Sequence, residues 1–152
     1  MDFFSYPDGR HAATLPGVLD QLDSAEWSRI VPYFETLTFE RGDRLIEAET
    51  EDRALYILAE GEVEVLRLLS RGRTKRIATI REGSVFGEIA FFDLQPRCAT
   101  IRALSDGSAL RLDHRSLRRL GEAEPDIASA LLFDLGRTLA SRLRHCLACG
   151  ES

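Results

Sequence analysis

From Phe34 to Asp113 the chain is a succession of short apolar runs, none long enough for a helix of several turns: "FETLTF", "LYIL", "EVEVLRLL", "RIATI", "ATIRAL" and "SALRLD". They are rich in Val, Ile, Leu, Thr and aromatic residues, which suit pleated, half-buried backbone. Turn signals separate them at "RGD", "EG", "SRGR", "REG" and "SDG", where glycine and small polar residues tolerate tight backbone. Many short strands with regular turns predict a β-sandwich or barrel-like roll rather than a parallel α/β sheet. Only "GEIAFF" inside this region is suited to begin a short helix.

The flanks follow a different period. In "DSAEWSRIVPYF" either Asp23 or Ser24 can cap a helix, Glu26 completes a capping box with Asp23, and Pro32 stops it. Asp113 can cap a second short helix, "HRSLRRLG", with Gly121 as its stop. Pro125 and Asp126 then suit the first turn of a long helix. Along it Ile127, Leu131, Leu135, Leu139, Leu143 and Leu147 recur every four residues, and such a helix is about 30–35 Å long. The expected organisation is a flexible lead-in over 1–16 and one domain over 17–148. That domain holds a roll at about 34–113, a short helix at about 114–120 and a long helix at about 126–148; a tail of 149–152 follows.

Composition narrows the function classes. The 152 residues, 44% hydrophobic and 30% charged, suffice for one soluble core. A net charge of −5 gives the whole chain no attraction for nucleic acid or an anionic membrane. No apolar stretch is long enough to span a bilayer, and "MDFFSYPDGRHAAT" lacks the features of a secretory signal. Three cysteines, Cys98, Cys146 and Cys149, make no disulfide framework, which predicts a cytoplasmic protein. Cys146 and Cys149 beside His145 supply too few ligands to close a zinc site; they read as structural or incidental, and no metal is expected. "RGRTKR", residues 71–76, reads as a solvated hairpin tip. No nucleophile–base pair, HExxH or Walker loop is present, so no catalytic residue and no enzyme activity are expected.

The chemistry concentrates in "FGEIAFFDLQPRCAT", residues 86–100, where Glu88 and Arg97 stand in apolar surroundings. Burial of either charge without a partner costs several kcal/mol, so each needs one. If the backbone turns sharply at Gly87 into a helical turn, the amides of Gly87, Ile89 and Ala90 form an anion site. Arg97 can cross to the same place and bind a phosphate. Glu88 would repel a phosphate but suits a ribose hydroxyl. Phosphate and free ribose hydroxyl within one short cassette describe a nucleotide whose phosphate closes back on its own sugar.

The residues Phe86, Gly87, Glu88, Ile89 and Ala90, then Pro96, Arg97, Cys98, Ala99, Thr100 and Ile101, resemble the phosphate-binding cassette of cyclic nucleotide-binding domains. Bacterial catabolite activators, cyclic-nucleotide-dependent kinases and nucleotide-gated channels carry that domain. "LYILAEGEVEV" and "REGSVFGE" are similar to neighbouring family elements, and the likeness covers about residues 19–148. It implies a mainly β fold with flanking helices (α+β): a jelly-roll-like β-roll, or double-stranded β-helix, with an N-terminal helix and a long C-terminal helix. It implies a ligand site of Phe86, Gly87, Glu88, Ile89, Ala90, Arg97, Cys98 and Ala99, with cAMP or cGMP as ligand and no other cofactor. Base contacts would come from the long helix, where Thr138, Ser141, Arg142, His145 and Cys146 are candidates. By the same likeness the long helix is a homodimer seam over residues 127–147, and a downstream protein receives the signal. Two departures stand out. Glu49 occupies a position where the family places a turn glycine, so that turn is expected to be reshaped. Cys98 follows the arginine where Ser or Thr donates to the phosphate; the absence of Thr tilts the reading toward cAMP. Three alternatives remain: a domain that has lost its ligand and keeps Glu88 and Arg97 as a structural ion pair, a redox or metal sensor through Cys146 and Cys149, and the sensory part of a longer transcription regulator.

Overall fold

The computed structural model describes Leu19 and residues 22–150, the side chains of 149 and 150 excepted. The expected lead-in over 1–16 and the end of the tail, 151–152, lie outside the described residues. Helix α1 spans Ser24–Ile30, and a 3₁₀ turn over Val31–Tyr33 accommodates Pro32. Eight strands follow: β1 Glu35–Phe39, β2 Arg44–Ile46, β3 Leu55–Glu60, β4 Val63–Leu68, β5 Thr74–Ile80, β6 Val85–Phe86, β7 Thr100–Ala103 and β8 Gly107–Leu112. Helix α2, Glu88–Asp93, interrupts them between β6 and β7, and α3, His114–Ala123, and α4, Pro125–Gly150, close the chain.

The strands form two antiparallel sheets, ordered β1-β8-β3-β6 and β2-β7-β4-β5. This is the expected β-roll with flanking helices. Alternation along β3 shows how the chain builds it. Tyr56 and Leu58 point into the core between the sheets, beside Val63, Val65, Ile80, Phe86 and Ile101. Leu55 and Ile57 point the other way, onto Ile30, Leu120, Ile127, Leu131 and Leu135 of the helices. A strand covered on both faces reads as a continuous apolar run, which is why "LYIL" has no polar member. On the outer face of the second sheet, Glu64 is buried and accepts hydrogen bonds from Arg76 and Arg102, each at 2.7 Å. The hairpin tip at 71–76 is exposed throughout, as expected.

The α1 capping box forms on Asp23, whose carboxylate accepts from the Glu26 amide at 2.8 Å while Glu26 accepts from the Asp23 amide at 3.2 Å. Asp113 caps α3 as expected, accepting from the Ser116 amide at 2.8 Å. Gly121 does not stop that helix. It lies inside α3, which runs to Ala123 and ends at Glu124, φ −137°. The proline that follows disfavours helical backbone at Glu124, and that steric stop outweighs one glycine's helix cost of about 1 kcal/mol. Strands β2 and β6 had no sequence signal, being only three and two residues long.

The long helix divides the leucine stripe expected to form a homodimer seam. Ile127, Leu131 and Leu135 are buried against the helix-facing core of their own domain. Leu139 is half-buried, and only Leu143 and Leu147 of the stripe, with Leu132 beside it, are exposed. A four-residue repeat drifts around a 3.6-residue helix, so its two ends cannot face the same neighbour. Helix α4 continues to Gly150, two residues beyond the expected end. Among the described residues, no helix is long and apolar enough to cross a membrane.

Candidate functional site

Strand β6 ends at Phe86 and the chain turns at Gly87, φ +75°, into α2. A side chain there would meet the Arg97 guanidinium: a Cβ on Gly87 would stand 2.8 Å from Arg97 Nη1 and 3.1 Å from the Ala54 carbonyl. Left-handed backbone and close approach thus both require glycine at this corner. Helix α2 leaves through Leu94, φ 60°, and is held to α3 by His114, which stacks on Phe91 at 4.3 Å and donates from Nε2 to the Phe91 carbonyl at 2.7 Å.

All eight expected site residues, Phe86, Gly87, Glu88, Ile89, Ala90, Arg97, Cys98 and Ala99, line one cavity. Its apolar wall comes from Ile46, Val65, Ile80 and Ile101 of the sheets, and Arg142 of α4 completes it. A few convergent polar groups in an apolar cleft is the ordinary form of a small-molecule site. Of the five base-contact candidates on α4, only Arg142 reaches the cavity. Thr138 is buried without lining it, Ser141 is exposed, and His145 and Cys146 are partly exposed.

Glu88 and Arg97 are not each other's partners. Arg97 is 4% exposed and donates from Nη1 to the Gly87 carbonyl at 2.7 Å. Its Nη2 donates to Asp52 at 3.0 Å and to the Ala54 carbonyl at 2.5 Å. Its Nε is buried without an acceptor. Asp52 also accepts from Arg111 at 3.2 Å and from the Tyr56 hydroxyl at 3.2 Å. Burial opposes its charge, but the hydrogen bonds from Arg97, the Ala54 amide and Arg111, with the Arg97 charge, overcome that and hold its pKa below the ordinary value. Glu88, 4% exposed, pairs instead with Arg142 at 2.7 Å. The structural ion pair considered for Glu88 and Arg97 therefore does not exist as such.

Asp52 carried no sequence signal, because one acid among Glu49, Glu51 and Asp52 in a polar loop gives no cue to its neighbour. The same loop holds Arg97 by its backbone as well: the Glu49 amide donates to the Arg97 carbonyl at 2.7 Å, and the Arg97 amide to the Thr50 carbonyl at 3.0 Å. Glu49 itself adopts φ 68°. Glu49 thus takes at this turn the left-handed backbone that glycine adopts without cost. Cys98 lies at the mouth of the cavity. Burial of its sulfur and then the nearby Glu88 carboxylate push its thiol pKa up, which keeps it protonated and a weak nucleophile.

A family model for the cyclic nucleotide-binding domain matches residues 36–124. The chain is 29% identical, over 130 residues, to the CRP-like cAMP-activated global transcriptional regulator of Mycobacterium tuberculosis, a match covering 85% of this chain and 56% of that protein. It is 38% identical, over 88 residues, to an uncharacterized ABC transporter ATP-binding protein of the same organism, covering 57% of this chain and 27% of the relative. The crystal structure of the N-terminal domain of a transcriptional regulator from Streptomyces coelicolor superposes with a TM-score of 0.69 at 31% identity, over 84% of this chain and 89% of that one. The chain thus matches about a quarter to a half of the length of these two curated relatives.

Proposed function

Because this chain belongs to the cyclic nucleotide-binding domain family, we propose that it is a non-enzymatic cyclic nucleotide receptor, with cAMP preferred over cGMP, that regulates a partner protein. The observation that carries this reading is the Arg97 guanidinium. It is buried in the cavity wall, positioned by three acceptors, and has an Nε with none. A buried donor without an acceptor costs about 1–3 kcal/mol, and an anionic ligand is the partner that would recover it. In this reading Arg97 holds the cyclic phosphate, the amides of Gly87, Ile89 and Ala90 assist it, and Glu88 accepts the ribose 2′-hydroxyl. The preference for cAMP follows from Cys98, which offers a thiol where the family's cGMP binders tend to carry Thr. Helix α4, which brings Arg142 to the cavity, transmits occupancy; a homodimer through its exposed leucines joins two such receptors. The protein acts in the cytoplasm and needs no nucleic acid.

Calorimetric titration with cAMP and cGMP, after removal of any co-purified nucleotide, tests the reading. Micromolar or tighter binding of cAMP, weaker binding of cGMP, and a loss of about 2–4 kcal/mol in Arg97→Ala support it. Equal affinity of wild type and Arg97→Ala for cAMP would remove Arg97 from the site, and no binding of either nucleotide would end the receptor reading.

A further inference from the structure

In the cavity wall one oxygen of the Glu88 carboxylate already has a partner, Arg142. Arg142 is 5% exposed; its Nη1 lies 2.7 Å from Glu88 Oε1 and its Nη2 donates to the Val85 carbonyl at 2.5 Å. One planar guanidinium thereby ties α4 both to the first residue of α2 and to the strand leading into it, a geometry that suits arginine's rigid fork. Arg142 is also the last buried residue of α4 among the described ones. Ser141, Leu143, Arg144, Leu147 and Ala148 are exposed, and His145 and Cys146 only partly covered. The end of the helix therefore hangs on this pair.

We propose that Arg142 competes with the nucleotide for Glu88, so that accepting a ribose 2′-hydroxyl requires the ion pair to open and the end of α4 to be released. The inference rests on the receptor reading above and adds to it how occupancy is felt. A carboxylate gains from a hydroxyl donor, but breaking a desolvated ion pair costs at least as much. The 2′-hydroxyl then contributes little net affinity to the intact protein. Arg97 and the phosphate supply the attraction, and the hydroxyl's interaction energy goes into moving Arg142. A ligand without a 2′-hydroxyl can fill the same cavity and leave the pair closed.

The test compares cAMP with 2′-deoxy-cAMP in wild type and in Arg142→Met, by titration calorimetry. Removing the competitor lets Glu88 serve the hydroxyl alone, so the preference for cAMP over its deoxy analogue should grow about tenfold in Arg142→Met. A preference that shrinks means that Arg142 positions Glu88 for the ligand, and one that stays constant means that Arg142 is only structural; either result overturns the proposal. Should the Met variant fail to fold, Arg142→Lys, a point charge without the fork, is expected to shift the preference in the same direction by less. If neither nucleotide binds any of these proteins, the receptor reading falls and the competition with it. Hydrogen exchange of residues 139–148 in the nucleotide-free proteins then still decides whether the pair holds the helix: faster exchange in Arg142→Met than in wild type supports the hold, and equal exchange refutes it.

Discussion

Glu49 pays a conformational cost for its place beside the site. Left-handed backbone costs a residue with a Cβ about 1–2 kcal/mol, yet the amide of Glu49 must face the Arg97 carbonyl, and φ 68° is what presents it. Glu49 does not line the cavity. Glu49→Gly should therefore raise stability by about 1 kcal/mol and the melting temperature by about 2–4 °C, without changing nucleotide affinity; an unchanged or lower melting temperature contradicts the strain. The legibility of the site differed residue by residue. Gly87, Glu88 and Arg97 were readable because each is costly in an apolar segment without a reason. Asp52 and the apolar wall of Ile46, Val65, Ile80 and Ile101 were not, since an acid in a polar loop and an aliphatic in a strand are what any chain of this kind contains.

At the scale of elements, α3 and α4 show where local rules give way. Gly121 has helical surroundings and no atom within 4 Å of an added Cβ, so its flexibility serves no contact. Gly121→Ala should stabilise the protein by about 1 kcal/mol through helix propensity. Chemical denaturation reads this directly, and a loss of stability would mean that the helix packs more closely there than its surface shows. The leucine stripe of α4 was legible as a stripe, but its division between a buried first half and an exposed second half was not. That division depends on where the helix leaves the sheet, which no spacing within the helix encodes.

For the whole molecule, the network of Arg97, Asp52, Arg111 and Tyr56 ties the neighbouring strands β3 and β8 to the site. Asp52 has its pKa lowered in the folded state below the ordinary 3.8. Its contribution to stability is therefore complete above that value and is lost as pH falls through the folded pKa. Asp113, lowered first by its bond from the Ser116 amide, behaves the same way. Stability measured by denaturation should fall off below about pH 4, and Asp52→Asn should be less stable at neutral pH with a shallower acid slope; an identical slope would exclude Asp52 as a contributor. Association also belongs to this scale. Leu132, Leu143 and Leu147 are 38–48% exposed, with Gly136 and Ala140 on the same open side, and a two-fold pairing of α4 would cover them. Light scattering at tens of micromolar, a range in which weak association is visible, should show a dimer that Leu143→Glu converts to a folded monomer; a monomeric wild type contradicts the pairing.

The roll, the helices that close it and the cassette are written in the chain itself, because strand alternation, turn glycines, caps and an out-of-place Glu and Arg are all local signals. The partners of those two charges are set by the folded chain alone. Asp52 and Arg142 come from segments far along the chain on either side, and a charge's partner is set by three-dimensional proximity in a low-dielectric interior, not by distance along the chain.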